Sequence, residues 1–228
     1  MTQGRYEETH ARSMTDPEGF WGEAAQAIAW SKPPAQVLDA TQAPMYRWFS
    51  GGELNTCYEC LDRHVEEGFG DQPALVYDSP VTDTSRTYSY AELRDEVARC
   101  AGVLAGLGVT KGDRVLIYLP MVPEALISML ASARLGAVHS VVFGGFAASE
   151  LAKRIEDAAP KVIVSASCGI EPKRVVAYKP MLDAAIEQSA ARPTHCLILQ
   201  RPQATATMVE GRDVDWATAM ETATPADC

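Results

Sequence analysis

Between Arg114 and Leu199 the chain alternates short, continuously apolar runs with stretches in which apolar residues recur every three or four positions. The runs Arg114 to Leu119, Val138 to Phe143, Val162 to Ser165 and His195 to Leu199 have strand length and no polar face. A strand that is apolar on both sides has to be covered on both sides. The intervening segments can supply that cover as amphipathic helices. They are Pro123 through Ile127, Leu130 and Leu135 to Gly136, then Ala148 to Ala159, then Pro180 to Ala191. This order predicts an α/β fold, a mostly parallel sheet with helices on its faces and right-handed crossovers. The helices should turn Ile127, Leu130, Leu151 and Ile155 inward.

The flanks read differently. Ala74 to Tyr77 and Arg86 to Tyr88 predict a hairpin. Ser89-Tyr90-Ala91-Glu92 is a capping box, opening a helix that carries Leu93, Val97, Leu104 and Leu107 and ends within Gly106 to Gly108. The first 50 residues hold three of the four tryptophans and only short apolar runs. There Asp16-Pro17-Glu18 starts a helix expected to reach about Trp30, before Pro33-Pro34. A second helix from Asn55-Thr56 should place Cys57, Leu61 and Val65 on one face and close at Gly68 and Gly70. Trp216 to Met220 reads as a last short helix.

Charge and cysteine usage narrow the class. With 30 acidic and 20 basic residues among 228, the formal charge is −10, which argues against nucleic-acid partners and anionic membranes. It does not exclude an anionic ligand held by a few local cations. No apolar run approaches the ~20 residues of a membrane helix. Met1 to Arg12 is polar and shows no secretory leader, so the six cysteines read as thiols and the compartment as cytoplasmic.

Several motifs could carry chemistry. Cys57-x-x-Cys60 with His64 offers three metal ligands but no fourth, and at helical spacing the thiols are expected to pack, with no metal bound. His139 and His195 lack a nucleophile or carboxylate partner in the sequence and are expected in the core or at strand ends. Phe143-Gly144-Gly145-Phe146 sits between a strand and a helix, where open α/β sheets bind ligands. Ser167 to Arg174 follows another strand end. It is expected to be a loop held by Gly169 and Pro172, carrying Lys173 and Arg174 with Lys179 nearby.

Several strings resemble one family. Trp48-Phe49-Ser50-Gly51-Gly52-Glu53-Leu54-Asn55-Thr56-Cys57-Tyr58 and Leu61-Asp62-Arg63-His64 are similar to the N-terminal region of AMP-forming short-chain acyl-CoA synthetases. So are Gly108 to Val115 and Met121-Val122-Pro123-Glu124. The longest match is Ala133-Arg134-Leu135-Gly136-Ala137-Val138-His139-Ser140-Val141-Val142-Phe143-Gly144-Gly145-Phe146, a string typical of acetyl- and propionyl-CoA synthetases.

The resemblance implies an N-terminal region over 1–64 and the start of an adenylating domain over 65–228, the first half of the adenylate-forming fold. It implies a longer enzyme that joins propionate to CoA with Mg-ATP, the present stretch stopping before the phosphate loop and being inactive alone. Acetate–CoA ligase and a noncatalytic CoA- or nucleotide-binding module are the alternatives. By resemblance, Gly145 lies beside the pantetheine path, and Glu171, Pro172, Lys173 and Arg174 meet the phosphoadenosine end of CoA. Glu171 stands where the acetyl branch usually has arginine, which favours the propionyl branch. No residue of this stretch is assigned a catalytic role.

Overall fold

The computed structural model describes residues 4–144 and 147–228, which divide into two compact units, Met1–Asn55 and Thr56–Cys228. In the first, helix α1 (Arg5–Thr15) escaped the sequence pattern because it is mostly polar and buries no residue. Helix α2 (Pro17–Ala24) starts as expected, with the Asp16 carboxylate accepting the Gly19 amide. It stops six residues short of Trp30. The Trp30 indole donates to the Ala25 carbonyl at 2.9 Å, taking a group that a longer helix would use. Strands β1 (Gln36–Asp39) and β2 (Arg47–Ser50) pair antiparallel.

The second unit opens with a helix wound partly as wide i→i+5 turns, at Tyr58–Asp62 and Val65–Phe69, and broken by Gly68 at φ 90°. That winding changes which side chains share a face. Cys57 and Leu61 are buried, whereas Cys60 is exposed, against the expectation that both thiols pack. Next come the hairpin β3 (Pro73–Ser79) and β4 (Thr84–Ser89) and helix α3 (Tyr90–Gly106). The capping box is present: Ser89 accepts the Glu92 amide at 3.2 Å and Glu92 accepts the Ser89 amide at 2.9 Å.

The α/β alternation then follows as β5 (Arg114–Tyr118), α4 (Pro123–Arg134), β6 (Val138–Val141), α5 (Ala148–Ala158) and β7 (Val162–Ala166). Past β7 lie β8 (Cys168–Glu171), β9 (Arg174–Ala177), α6 (Tyr178–Gln188), β10 (His195–Leu199), β11 (Asp213–Asp215) and α7 (Trp216–Thr222). Among the described residues the main sheet has the order β11-β10-β7-β5-β6, and every pairing in it is parallel. Consecutive residues of β5 serve opposite cores. Val115 and Ile117 join Leu93, Val97, Leu104, Ile127 and Ala131 from α3 and α4. Leu116 and Tyr118 join Leu151, Ile155, Leu182 and Ile186 from α5 and α6. The unbroken apolar runs are therefore the signature of a sheet buried on both faces.

Two further expectations need correction. The segment after β7 is not a loop but a second antiparallel hairpin, in which Gly169 faces Val176 and Glu171 faces Arg174. Its tip is Pro172-Lys173, and such a tip lacks the Gly or Asn that usually announces a two-residue hairpin turn. His139 is neither in the core nor at a strand end; it lies exposed within β6, the edge strand. His195 does begin β10. Among the described residues no helix is long and apolar enough to cross a membrane.

Candidate ligand cleft at the carboxyl edge of the sheet

From β5 the chain crosses to β6 on one side, then returns past β5 to β7, β10 and β11 on the other. The connection leaving β5 runs through α4, on the face of α3, while the one leaving β7 runs through α6, on the opposite face. Where neighbouring connections diverge in this way, the carboxyl ends of the strands enclose a crevice. A cavity of about 590 Å³ occupies that place.

Its walls come from four strand ends. Leu119 to Val122 follow β5, Val141 to Gly144 end β6, Gly169 to Glu171 belong to β8, and Arg201 follows β10. The turn of the β3–β4 hairpin adds Asp78 to Val81. Met121 and Phe143 are largely exposed at this cleft, so its walls mix apolar surface with a few charges.

Tyr178 lines the cavity and stacks on the fully buried Tyr118, with centroids 4.9 Å apart, and the Tyr118 hydroxyl donates to the Gly144 carbonyl at 3.4 Å. Burial pushes the Tyr118 phenol up to about 12 and raises Tyr178 as well, so both stay protonated donors at neutral pH. Gly144 and Gly169 lie against the Tyr178 ring. A Cβ on Gly169 would sit 2.5 Å from the Tyr178 ring carbons, and one on Gly144 would strike the Tyr178 hydroxyl. Gly169→Ala is therefore expected to cost about 1–3 kcal/mol by overpacking. Gly106→Ala, where the added carbon meets nothing within 4 Å, should cost nothing. Urea unfolding of the two variants checks this, and equal midpoints would show that the Tyr178 ring yields freely.

The sequence-predicted residues are distributed unevenly. Glu171 lines the cavity together with Gly144. Arg174 is held beside Glu171, its Nε donating at 2.8 Å, and that bond lowers the Glu171 carboxyl and raises the Arg174 guanidinium. Pro172 and Lys173 form the exposed tip. Gly145 lies outside the described residues. Lys179 is not available to a ligand: it is 2 % exposed, and its Nζ donates to Asp183 at 2.7 Å and lies 2.8 Å from an Asp213 carboxylate oxygen. Among the described residues the potential ligands gathered around Cys57 are Asp62 and Cys228, not Cys60 and His64, and the His64 ring instead packs on Tyr90 at 4.8 Å.

Arg201 and Tyr178 escaped the sequence reading. Arg201 is fixed by its amide donating to Ser167 Oγ at 2.8 Å and its guanidinium donating to the Cys168 carbonyl at 3.2 Å. It lines both this cavity and a neighbouring one of about 320 Å³ with Arg86 and Glu124, where burial raises the Glu124 carboxyl. The signal was available: a cation two residues past a strand's carboxyl end is a candidate by position alone.

Fold and cleft together define an open α/β protein with its ligand crevice at a reversal of strand order. More particularly, the chain belongs to the family of AMP-binding enzymes, whose model matches residues 61–227; a model of the acetyl-coenzyme A synthetase N-terminus matches residues 6–60. The chain is 50 % identical over 226 residues to the mitochondrial acyl-CoA synthetase short-chain family member 3 of Mus musculus, covering 99 % of this chain and 33 % of that protein. It is 46 % identical over 216 residues to the propionate–CoA ligase of Salmonella typhimurium, covering 93 % and 34 %. Among solved structures it resembles acetoacetyl-CoA synthetase from Streptomyces lividans, with a TM-score of 0.87 and 26 % identity, over 100 % of this chain and 35 % of that one. The chain thus spans about a third of the length of the relatives it matches.

Proposed function

We propose that this chain is the N-terminal part of a cytoplasmic, AMP-forming propionate–CoA ligase, with 1–64 as its N-terminal region and 65–228 as the start of the adenylating domain. The likeness to a propionate–CoA ligase over 93 % of the chain supports this reading most directly. In the complete enzyme the propionate carboxylate attacks the α-phosphorus of Mg-ATP and pyrophosphate leaves. The CoA thiol then attacks the acyl carbon of the adenylate and AMP leaves. Six thiols without a disulfide suit a reducing compartment.

In this reading the β8–β9 hairpin recognises CoA. Glu171, Pro172, Lys173 and Arg174 form its tip, and Gly145 lies beside the pantetheine path. An incoming phosphate takes the place of the Glu171 carboxylate on Arg174, exchanging one charge-assisted contact for another. A phosphate far from the reacting thiol is bound alike in ground and transition states, so the contact acts on KM rather than kcat.

In the enzyme that contains this chain, Arg174→Ala is expected to raise the KM for CoA by about one to two decades and to leave propionate-dependent pyrophosphate exchange unchanged. With dephospho-CoA, which lacks the 3′-phosphate, the loss should be much smaller. Equal losses with both cosubstrates would refute the assignment of Arg174. Preference for acetate over propionate by the same enzyme would refute the substrate.

A further inference from the structure

Away from the cleft, two thiols from opposite ends of the second unit meet. The sulfurs of Cys57 and Cys228 and a carboxylate oxygen of Asp62 all lie within 4.8 Å of one another. Cys57 is fully buried and Cys228 is exposed. The last residues are held there by their own backbone. The Ala226 amide donates to the Ala98 carbonyl at 2.9 Å, and Arg134 Nε donates to the Ala226 carbonyl at 2.6 Å. Gly102 lets the Thr224 carbonyl come so close to α3 that a Cβ there would overlap it. The position of Cys228 is thus fixed two residues upstream.

We propose that Cys57 and Cys228 are an oxidisable dithiol that a peroxide closes into a disulfide, tethering the segment after α7 to the helix that opens the second unit. The two thiols are not alike. The Cys228 thiol is raised above its ordinary value, first by its hydrogen bond to Cys57 and then by burial, and its Sγ lies 3.5 Å from Asp62 Oδ2. Arg134 Nη1 donates to Cys57 Sγ at 3.5 Å. The hydrogen bond from Cys228, and then that from Arg134, hold the Cys57 thiol below its ordinary value against the opposing effect of burial. The proton of the pair is therefore held on Cys228 and the thiolate character lies on Cys57.

The balance closes with hydrogen peroxide as the oxidant. One sulfur of the pair attacks a peroxide oxygen, the O–O bond breaks, and its thiol proton leaves with the other oxygen as water. The second sulfur then attacks the sulfenic sulfur, the S–O bond breaks, and the second thiol proton completes another water. Two thiols are oxidised and one peroxide is reduced. A metal ion is the competing occupant, but both Asp62 oxygens are already taken by Arg134 at 2.7 and 2.9 Å, and the guanidinium would repel a cation.

The test is oxidation of the whole chain with hydrogen peroxide, alkylation of the remaining thiols, digestion without reduction, and mass spectrometry. The expected product is a peptide pair joined through Cys57 and Cys228, with two fewer free thiols than in the untreated protein and both restored by dithiothreitol. Cys228→Ser should abolish the joined pair. Cys60 linked to Cys228, a disulfide between chains, or Cys228 oxidised to the sulfinic acid with Cys57 untouched would each overturn the proposal. So would stoichiometric zinc retained by the reduced chain and lost in Cys228→Ser.

Discussion

Lys179→Met is expected to destabilise the second unit by about 3–5 kcal/mol, because it strips one cation from a buried cluster of four charges. Lys179 Nζ lies 2.7 Å from Asp183 and 2.8 Å from Asp213, whose side chain is wholly buried. Arg212 reaches Asp213 at 2.7 Å and also pairs with Asp183. Methionine fills the same space but leaves two carboxylates sharing one guanidinium. The cluster also sets an acid limit. Burial alone would raise the Asp213 carboxyl, but hydrogen bonds from Arg212, Lys179 and the Val209 amide outweigh it and hold the group below the usual carboxylate range.

A group depressed in the folded state gives stability that is complete above its unfolded value of about 3.9 and is lost as pH falls through the folded one. The parent chain should therefore lose stability progressively below about pH 4. In Lys179→Met the Asp213 value rises toward its unfolded one, so its share of that loss shrinks and is complete at a higher pH. Urea midpoints between pH 3 and 7 measure both effects, and Lys179→Met with Asp183→Asn should recover part of the loss at neutral pH. A Lys179→Met chain as stable as the parent at every pH would mean the cluster contributes nothing.

Arg134→Met carries the second large effect, again about 3–5 kcal/mol. Its guanidinium grips Asp62 through two bonds of 2.7 and 2.9 Å, with the two side chains only 5 % and 14 % exposed. The same side chain holds the Ala226 carbonyl and the Cys57 sulfur, so one substitution loosens α4, the first helix of the unit and its last residues together. Against a typical total of 5–15 kcal/mol, such a loss should be visible as a much lower thermal midpoint. Arg134→Met with Asp62→Leu should be more stable than Arg134→Met alone, since no unpaired charge is left buried. If the single variant were the more stable of the two, the ion pair would not be the source of the loss.

Much of the architecture was legible because it rests on local rules. The capping box at Ser89 and Glu92, the proline start at Pro123 and the apolar runs of β5, β7 and β10 depend on near neighbours, and they stand where the pattern puts them. The errors fall where distant groups decide. Helix α2 is cut short by an indole from beyond it, and the β8–β9 hairpin forms without a typical turn sequence. The wide turns after Cys57 move Cys60 to the surface.

The candidate site divides in the same way. Lys173 and Arg174 stood out as charges past a strand end, but only tertiary structure pairs Arg174 with Glu171 and leaves Lys173 at the exposed tip. Lys179 stood out equally and is consumed by Asp183 and Asp213, a partner 34 positions away. Arg201 reaches the cleft only because β10 lies beside β7. By itself the sequence determined the α/β class, the two-faced burial of the sheet and the family, since periodicity, capping and motif strings are written along the chain. The tertiary structure alone decided which cations face a ligand, which are neutralised in the interior, and that Cys57 meets Cys228. Those outcomes depend on strand order and on Coulomb partners far apart in the chain, which no local pattern records.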